Sequence, residues 1–181
     1  MTSQPTQRNT SKVLLAGLIG NVMEWYDFAV YGYFATVIGR EFFPSSDPAA
    51  SLIGAFGAFA AGFLVRPLGG IVFGRIGDLA GRKRALQLSV MVMAVPTVLM
   101  GLLPTHQQIG IAAPIAVVLL RIIQGLSVGG EYTSSIIFLS ENAPDRQRGF
   151  YAIWGLWGSV LGMLIGSGFG DLLAHTLTSA Q

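Results

Sequence analysis

The sequence contains no cysteine, and this absence excludes disulfide bonds, cysteine-ligated metals and thiol nucleophiles. Charge is scarce as well, because only 11% of the residues are Asp, Glu, Lys or Arg, against about 25% in soluble domains. The net charge of +2 is too small to suggest nucleic acid as a partner. The two histidines, His106 and His175, lie far apart at predicted span ends, so we expect loop histidines and no metal site. No cofactor is expected either.

Long apolar segments make up most of the chain, and 52% of its residues are hydrophobic. Crossing about 30 Å of hydrocarbon takes about 20 helical residues, and five segments meet that length. The sequence therefore predicts an all-α membrane protein with spans at residues 13–35, 49–73, 85–103, 111–139 and 149–174. Asp47 and Pro48 form an N-cap and first-turn proline for the second span, and Pro96 predicts a kink in the third.

Polar segments flank these spans and join them. Residues 1–12 form a predicted cytoplasmic tail, residues 13–175 a transmembrane unit, and residues 176–181 an external tail. Residues 73–86 form a basic hinge between two long apolar runs, in which Gly77 and Gly81 permit a tight reversal. The other predicted loops cover residues 40–47, 104–110 and 140–148.

The basic residues lie mainly on one side of the predicted membrane. If the N-terminus is cytoplasmic, the external side holds only Arg40. The internal side then holds eight basic residues: Arg8, Lys12, Arg75, Arg82, Lys83, Arg84, Arg146 and Arg148. Because cytoplasmic loops of membrane proteins are enriched in Lys and Arg, this bias predicts a cytoplasmic N-terminus and an external C-terminus.

Small residues line one face of the second span and one face of the fifth. They are Gly54, Ala58, Gly62, Gly69 and Gly70 in the former, and Gly158, Gly162, Gly166 and Gly170 in the latter. Such stripes let helix backbones approach each other closely. The glycines of residues 166–170 superficially resemble a nucleotide loop, but they follow no strand and therefore favour packing.

Polar residues recur on one face of the first span and on one face of the fourth. The stripe on the first span consists of Asn21, Glu24, Asp27 and Tyr31. At a rotation of about 100° per residue, all four point within roughly 60° of the direction of Glu24. The fourth span carries Arg121, Gln124, Gly125, Glu131, Tyr132 and Ser135. Ionisable groups at membrane depth are costly, and they usually line a cavity or face each other.

The charged residues of the two stripes fall at matching depths. At a rise of 1.5 Å per residue, Asp27 lies roughly 4 Å and Arg121 roughly 6 Å to the outer side of the midplane. We therefore expect the two spans to face each other, with Arg121 near Asp27 or Glu24. Ion pairing that only holds helices together is the alternative. A carboxylate pair with an arginine favours a water-accessible site, in which a carboxylate takes a proton and Arg121 binds an anionic group.

Arg66 either lines the inner vestibule or snorkels to the interface, and snorkelling is favoured.

Several motifs resemble those of a known family. Three resemble signatures of the major facilitator superfamily: Gly74-x-x-x-Asp78-x-x-Gly81-Arg82-Lys83, Arg121-x-x-Gln124-Gly125-x-x-x-Gly129-Gly130-Glu131 and Pro144-x-x-x-Arg148-Gly149. Two more narrow the resemblance to the metabolite:proton symporter family: Gly20-Asn21-x-x-Glu24-Trp25-Tyr26-Asp27-Phe28 and Arg66-Pro67-Leu68-Gly69. Together they cover essentially all of residues 13–175.

The resemblance implies a transporter of two six-helix halves that works by alternating access, with this chain as most of the N-terminal half. Within a half, an inverted repeat relates span one to span four and span two to span five. The resemblance also assigns control of cytoplasmic opening to a group of gate residues: Gly74, Asp78, Gly81, Arg82, Lys83 and Arg148. A missing second transporter half is expected as a partner, because the chain stops after five spans.

The function implied is symport of a small polar metabolite with protons across the cytoplasmic (inner) membrane, with H+ as the coupling ion. The expected proton-coupling residues are Glu24, Asp27 and Glu131. The expected substrate-binding residues are Asn21, Tyr31, Arg121, Gln124 and Tyr132. The two tyrosine rings suit a quaternary ammonium, and Arg121 suits a carboxylate, so a zwitterionic osmolyte such as proline or betaine is favoured over a dicarboxylate. A truncated, non-transporting membrane protein with a binding or regulatory role is the alternative. A membrane enzyme is disfavoured, because no nucleophile–base pair or phosphate loop is present.

Overall fold

The computed structural model describes residues 10–144 and 146–178, without the side chains of residues 10–13, 16–17, 132–134 and 177–178. Helices fill most of this range: α1 (Thr10–Tyr33), α2 (Ala35–Phe42), α3 (Pro48–Ala80), α4 (Arg82–Gly101), α5 (His106–Ile109), α6 (Ala112–Glu141) and α7 (Arg148–Thr178). The described residues contain no strand, and the all-α fold class is confirmed. Residues 1–9 of the predicted N-terminal tail and residues 179–181 of the predicted C-terminal tail lie outside the described residues.

Four helices, α3, α4, α6 and α7, are long and apolar enough to cross a membrane. Helix α1 contains 24 residues, which corresponds to about 36 Å of helix at 1.5 Å per residue. The chain is therefore a multi-pass membrane protein built from long helices joined by short connections.

The start of α3 follows from its first residues. Asp47 accepts a hydrogen bond from the backbone N–H of Ala49 at 2.9 Å, and Pro48 is the first helical residue. The side chain thus satisfies one of the donors that a helix start leaves unpaired, and the proline has no such donor to satisfy. The predicted N-cap is confirmed.

The predicted hinge at residues 73–86 is wrong as a loop. Helix α3 continues through Gly77 to Ala80, and α4 begins at Arg82. Only Gly81 breaks the helix, with a φ of 92° that favours glycine. Hydropathy marks where the membrane ends, whereas backbone hydrogen bonds continue into polar residues beyond it. The prediction relied on the change of composition, and it therefore placed the end of α3 too early in the sequence.

Three other predicted loops contain helix. Helix α2 extends to Phe42 inside the predicted loop 40–47, α5 lies within the predicted loop 104–110, and α6 runs on to Glu141. The histidines are consequently not loop residues, because His106 begins α5 and His175 lies in the last turns of α7. Short amphipathic or polar turns have no long apolar run to reveal them in the sequence.

Two helix pairs make the most extensive contacts, α3 with α6 and α1 with α7. The predicted stripe glycines lie in these contacts, except Gly54, whose β carbon would meet Phe43. A β carbon at Gly69 would collide with the carbonyl of Leu126, and one at Gly162 would collide with that of Val22. Glycine is required at these positions because the backbones themselves are in contact. The first and fourth spans also pack together, as α1 and α6, and this brings their polar stripes into one interior.

Candidate functional site

An ion pair between α6 and α1 lies at the centre of the buried polar residues. Arg121 Nη1 donates to Asp27 Oδ2 at 2.5 Å. The side chain of Arg121 is 4% exposed and that of Asp27 is 9% exposed. The predicted proximity of Arg121 to Asp27 is confirmed. A hydrogen-bonded pair removed from water in this way depends on both partners, because either charge alone would be left uncompensated.

Aromatic rings support the arginine of this pair. The Arg121 guanidinium lies 3.8 Å from the ring centroid of Tyr31. The hydroxyl of Tyr31 donates to the carbonyl of Ala55 at 2.8 Å, and its ring stacks on Phe59 at a centroid distance of 5.4 Å. Tyr31 is thus a fixed platform that holds the guanidinium against Asp27.

Gln124 connects the ion pair to α4. Its Nε2 donates to Thr97 Oγ1 at 2.8 Å and to Asp27 Oδ1 at 3.4 Å. Both bonds use the amide nitrogen, and they fix the orientation of the amide. The buried Oε1 has no hydrogen-bond partner among the described residues. Gln124 therefore holds an unused acceptor beside Asp27 and Arg121.

A second arginine faces the other carboxylate of α1. Arg66 Nη1 lies 3.9 Å from Glu24 Oε1, and its guanidinium lies 3.5 Å from the ring centroid of Phe63 and 4.5 Å from that of Phe28. The predicted snorkelling of Arg66 is wrong. The ring faces and the buried carboxylate give its charge a favourable position inside the helix bundle.

Glu131 is fully buried, and within the described part of the chain it forms no ion pair with Arg66 or Arg121. Neither of its carboxylate oxygens has a hydrogen-bond partner among the described residues, and Oε1 packs against Gly20. One helical turn after Glu131 on α6, Ser135 Oγ accepts a hydrogen bond from Asn21 Nδ2 of α1 at 2.8 Å. A carboxyl group removed from water without a cationic partner is costly in its charged form, and this makes Glu131 a candidate proton carrier.

A pocket lies between α1, α3, α4 and α6, and both arginines line it. The other lining residues are Asp27, Phe28, Phe59, Gly62, Phe63, Met93, Gln124, Gly125 and Val128. Its apolar walls and few converging charged and polar groups are the lining chemistry of a small-molecule site, and the space between them is about 270 Å³, small for such a site.

The predicted site residues thus fall into separate groups. Asn21, Tyr31, Arg121 and Gln124 lie buried in the same interior as the three predicted proton-coupling carboxylates. The side chain of Tyr132 lies outside the described residues. The described structure does not bring the gate residues into this interior, because Asp78 follows Arg66 by twelve residues, about 18 Å along the helix.

The gate residues lie around the junction of α3 and α4 and at the start of α7. Asp78 Oδ1 and Arg82 Nη2 form an ion pair at 2.8 Å, and the Arg82 side chain lies over Gly77. Lys83 is exposed. Arg148 is the first residue of α7. The Asp78–Arg82 pair is more exposed than the interior pairs, and it lies within the junction of α3 and α4.

The phenylalanines of the pocket were missed by sequence reasoning. Phe59, Phe63 and Arg66 are spaced i, i+4 and i+7 and therefore share one face of α3. Phe28 directly follows Asp27 in α1. An arginine that shares a helical face with two aromatic residues is the signal that could have indicated the cluster.

Comparisons with known proteins agree on one class of protein. The profile of the family described as "Sugar (and other) transporter" matches residues 12–181. The chain is 45% identical over 170 residues to the proline/betaine transporter of Escherichia coli K12, an alignment that covers 94% of this chain and 34% of that protein. It is 42% identical to the shikimate transporter of the same organism (94% and 39% covered) and 40% identical to its alpha-ketoglutarate permease (99% and 41% covered). No solved structure matches the chain.

These relatives are longer than the chain, which spans between 34% and 41% of their length. The similarity therefore covers the helices that hold the buried ion pairs and leaves the rest of each relative without a counterpart in this sequence.

Proposed function

The chain belongs to the sugar (and other) transporter family, and from that premise we propose that it takes part in symport of a small polar metabolite with protons across the cytoplasmic membrane. The observation that carries the proposal is the buried Asp27–Arg121 pair, which lines the interior pocket together with Gln124. Ionisable residues inside a membrane are costly and rare, and where they occur they mark substrate or ion pathways.

The pair suggests how proton and substrate are coupled. A proton on the Asp27 carboxyl neutralises the partner of Arg121 and releases the guanidinium. The guanidinium can then bind a substrate carboxylate by charge-assisted hydrogen bonds. When the substrate leaves, the proton leaves as well and Arg121 returns to Asp27. Each ligand thus assists the binding of the other, as coupling requires.

The remaining buried carboxyl groups supply further proton positions. Glu131 has no cationic partner among the described residues, and Glu24 has only the distant contact to Arg66. Asn21, Tyr31 and Gln124 complete the polar lining around them, and we assign Tyr132 the same role. The substrate class that suits Arg121 is a zwitterion or a carboxylate, and the named substrates of the relatives include both kinds.

Access to the pocket is proposed to alternate between the two sides of the membrane through movement against a second transporter half. In this scheme the N-terminus is cytoplasmic, and the basic residues near Gly81 lie on the cytoplasmic side. The gate residues Asp78, Arg82, Lys83 and Arg148 would then control opening on that side. Gly74 and Gly81 would allow the backbone to bend there.

The test is accumulation driven by an imposed pH gradient in cells that express the full-length protein. Betaine, proline and alpha-ketoglutarate are supplied separately as labelled probes. We expect Asp27→Asn and Glu24→Gln to abolish accumulation of the substrate that the unmodified protein concentrates. Asp171→Asn is the matched control, because Asp171 is an exposed acid near the end of α7 and lies outside the pocket.

Two results would contradict the proposal. Gradient-driven accumulation by Asp27→Asn at the level of the control would remove the role of the ion pair in coupling. Absence of uptake for all three probes, with the protein present in the membrane, would favour a binding or regulatory role.

A further inference from the structure

Arg66 occupies an aromatic cluster that is built to hold positive charge. The cluster consists of Phe28, Phe59 and Phe63, whose ring centroids lie 5.0 to 5.6 Å from each other. The Arg66 guanidinium lies 3.5 Å from the centroid of Phe63 and 4.5 Å from that of Phe28. Glu24 adds a negative charge at the edge of the cluster.

The contacts of Arg66 satisfy its charge but not its hydrogen-bond donors. The 3.9 Å separation from Glu24 Oε1 is longer than a hydrogen bond. The buried Nε has no hydrogen-bond partner among the described residues, and the same holds for Glu24 Oε2. A guanidinium carries five donors in a fixed fork. The charge of the guanidinium therefore suits the cluster, but the cluster does not supply acceptors for its hydrogen-bond donors.

We infer that Phe28, Phe59, Phe63 and Glu24 form the subsite for an N-alkylated, positively charged group of the substrate, and that Arg66 occupies this subsite when the substrate is absent. The inference rests on the proposed transport function for the existence of a small-molecule substrate. A quaternary ammonium has no N–H group to satisfy, and it binds through its charge to aromatic faces. Those are the interactions that the cluster offers.

The second arginine makes the pocket suited to a zwitterion. Arg121 lines the same pocket as the cluster, and a carboxylate can bind its guanidinium while the ammonium lies on the rings. Phe59 contacts both ends, because it stacks on Tyr31 and packs against Phe63. A short molecule with opposite charges at its two ends fits this arrangement.

Tyr31 is poorly placed for the cationic role that its ring chemistry suggested. Its ring already carries the Arg121 guanidinium at 3.8 Å and stacks on Phe59. Phe63, in contrast, is 43% exposed, so the cluster is open on one side. The Arg66 side chain is 22% exposed and can withdraw towards that open side.

A competing assignment makes Arg66 a second anion receptor. In that case the two arginines would bind the two ends of a dicarboxylate. The two assignments predict opposite effects of removing Arg66, because the arginine competes with an ammonium but would attract a carboxylate.

The first experiment measures binding to the purified full-length protein by titration calorimetry. The probes are glycine, N,N-dimethylglycine and N,N,N-trimethylglycine, which share a carboxylate and differ in N-methylation. We expect the trimethylated probe to bind most tightly. Phe63→Leu should weaken its binding roughly three- to thirtyfold, the range of a desolvated cation–π contact, and Phe63→Tyr should retain most of the affinity. Phe56→Leu on the same helix is the matched control, because Phe56 is exposed and does not line the pocket.

The second experiment replaces the occupant itself. Arg66→Gln should tighten binding of trimethylglycine, because the ligand no longer has to displace a cation and the charge of Glu24 is left for it. Weaker binding of trimethylglycine to Arg66→Gln than to the unmodified protein would overturn the inference. If Arg66→Gln also binds alpha-ketoglutarate more weakly than the unmodified protein does, the anion-receptor assignment is supported instead.

These results separate the subsite from the transport function. Binding of trimethylglycine that depends on Phe63, without gradient-driven accumulation of any probe, supports the subsite and contradicts the transport proposal. Gradient-driven accumulation by a protein whose trimethylglycine affinity does not change in Phe63→Leu overturns the subsite and leaves transport in place. Absence of measurable trimethylglycine binding overturns the subsite as well.

Discussion

Two arginine–carboxylate pairs lie in the same interior and have the same parts, but they are built differently. In each, an arginine from α3 or α6 lies over aromatic rings and faces a carboxylate of α1. The Asp27–Arg121 pair is hydrogen-bonded at 2.5 Å, whereas Glu24 and Arg66 are 3.9 Å apart. The first pair is joined by a hydrogen bond, and the second is a looser contact without one. Residue type alone therefore does not decide what an intramembrane ion pair does.

Helix packing gives both arginines the same backbone environment. A β carbon at Gly62 would lie 2.7 Å from the carbonyl oxygen of Arg121, and a β carbon at Gly129 would collide with that of Arg66. Each arginine thus lies at a position where the α3 and α6 backbones are in close contact. The difference between the pairs arises from the side chains around them and from their burial.

The largest expected difference appears in double-mutant cycles on the two pairs. Asp27→Asn or Arg121→Gln alone leaves a buried charge without its partner, which we expect to cost roughly 3–5 kcal/mol, and the double variant should recover part of that loss. For Glu24→Gln and Arg66→Gln we expect a coupling energy under about 1 kcal/mol, because the pair lacks a hydrogen bond and Arg66 is partly exposed. Denaturant unfolding of the purified protein in detergent measures both cycles. Equal coupling energies in the two cycles would contradict the distinction drawn from the distances.

Substitutions of the two glycines that face these arginines should have intermediate effects on stability. Gly62→Ala and Gly129→Ala force the α3 and α6 backbones apart, and overpacking of this kind typically costs about 1–3 kcal/mol. We expect Gly129→Ala to be the more damaging, because its β carbon has the less space.

Gly57→Ala on α3 is the matched control for these substitutions. No atom lies within 4 Å of its β carbon, and alanine in a helix is favoured over glycine by about 0.5–1 kcal/mol. The same unfolding assay applies. If Gly129→Ala unfolds at the same denaturant concentration as Gly57→Ala, the close approach of the helices at Arg66 is not required.

The smallest stability effect is expected at a third pair, Asp78–Arg82, which lies outside the interior. Its distance is 2.8 Å, but the Asp78 side chain is 68% exposed. Because exposed ion pairs contribute little, Asp78→Asn should change the free energy of unfolding by less than about 0.5 kcal/mol. It should still impair uptake if Asp78 acts as a gate residue. Glu41→Gln, which removes an exposed acid from α2, controls for the loss of charge. Full uptake by Asp78→Asn would count against the gate.

The sequence was informative where one physical rule dominates. Long apolar runs predicted a helical membrane protein, and the family match confirms the resemblance to the major facilitator superfamily. The spacing of Glu24 and Asp27 placed both on one helix face, and both are buried. The depth argument correctly placed Arg121 beside the carboxylates of α1, with Asp27 or Glu24 as the expected partner, because rise per residue is nearly constant along a helix.

Sequence reasoning failed where helix ends or neighbouring helices decide the outcome. The basic stretch around Gly77 was predicted as a loop, although only Gly81 interrupts the helix. Arg66 was expected to snorkel, because nothing in α3 alone shows that Glu24 and Phe28 of another helix lie within reach. The position of an arginine head group depends on partners that are distant in the sequence.

The order of apolar and polar residues was enough to specify the long helices, their polar faces and the approximate depth of each charge, since these properties are local to one helix. Tertiary structure alone selected Arg121 as the hydrogen-bonded partner of Asp27 and left Arg66 at 3.9 Å from Glu24. It also joined Phe28 of α1 to Phe59 and Phe63 of α3. Distances across helices depend on how closely the backbones pack, and that is set by glycines and side chains on facing helices acting together.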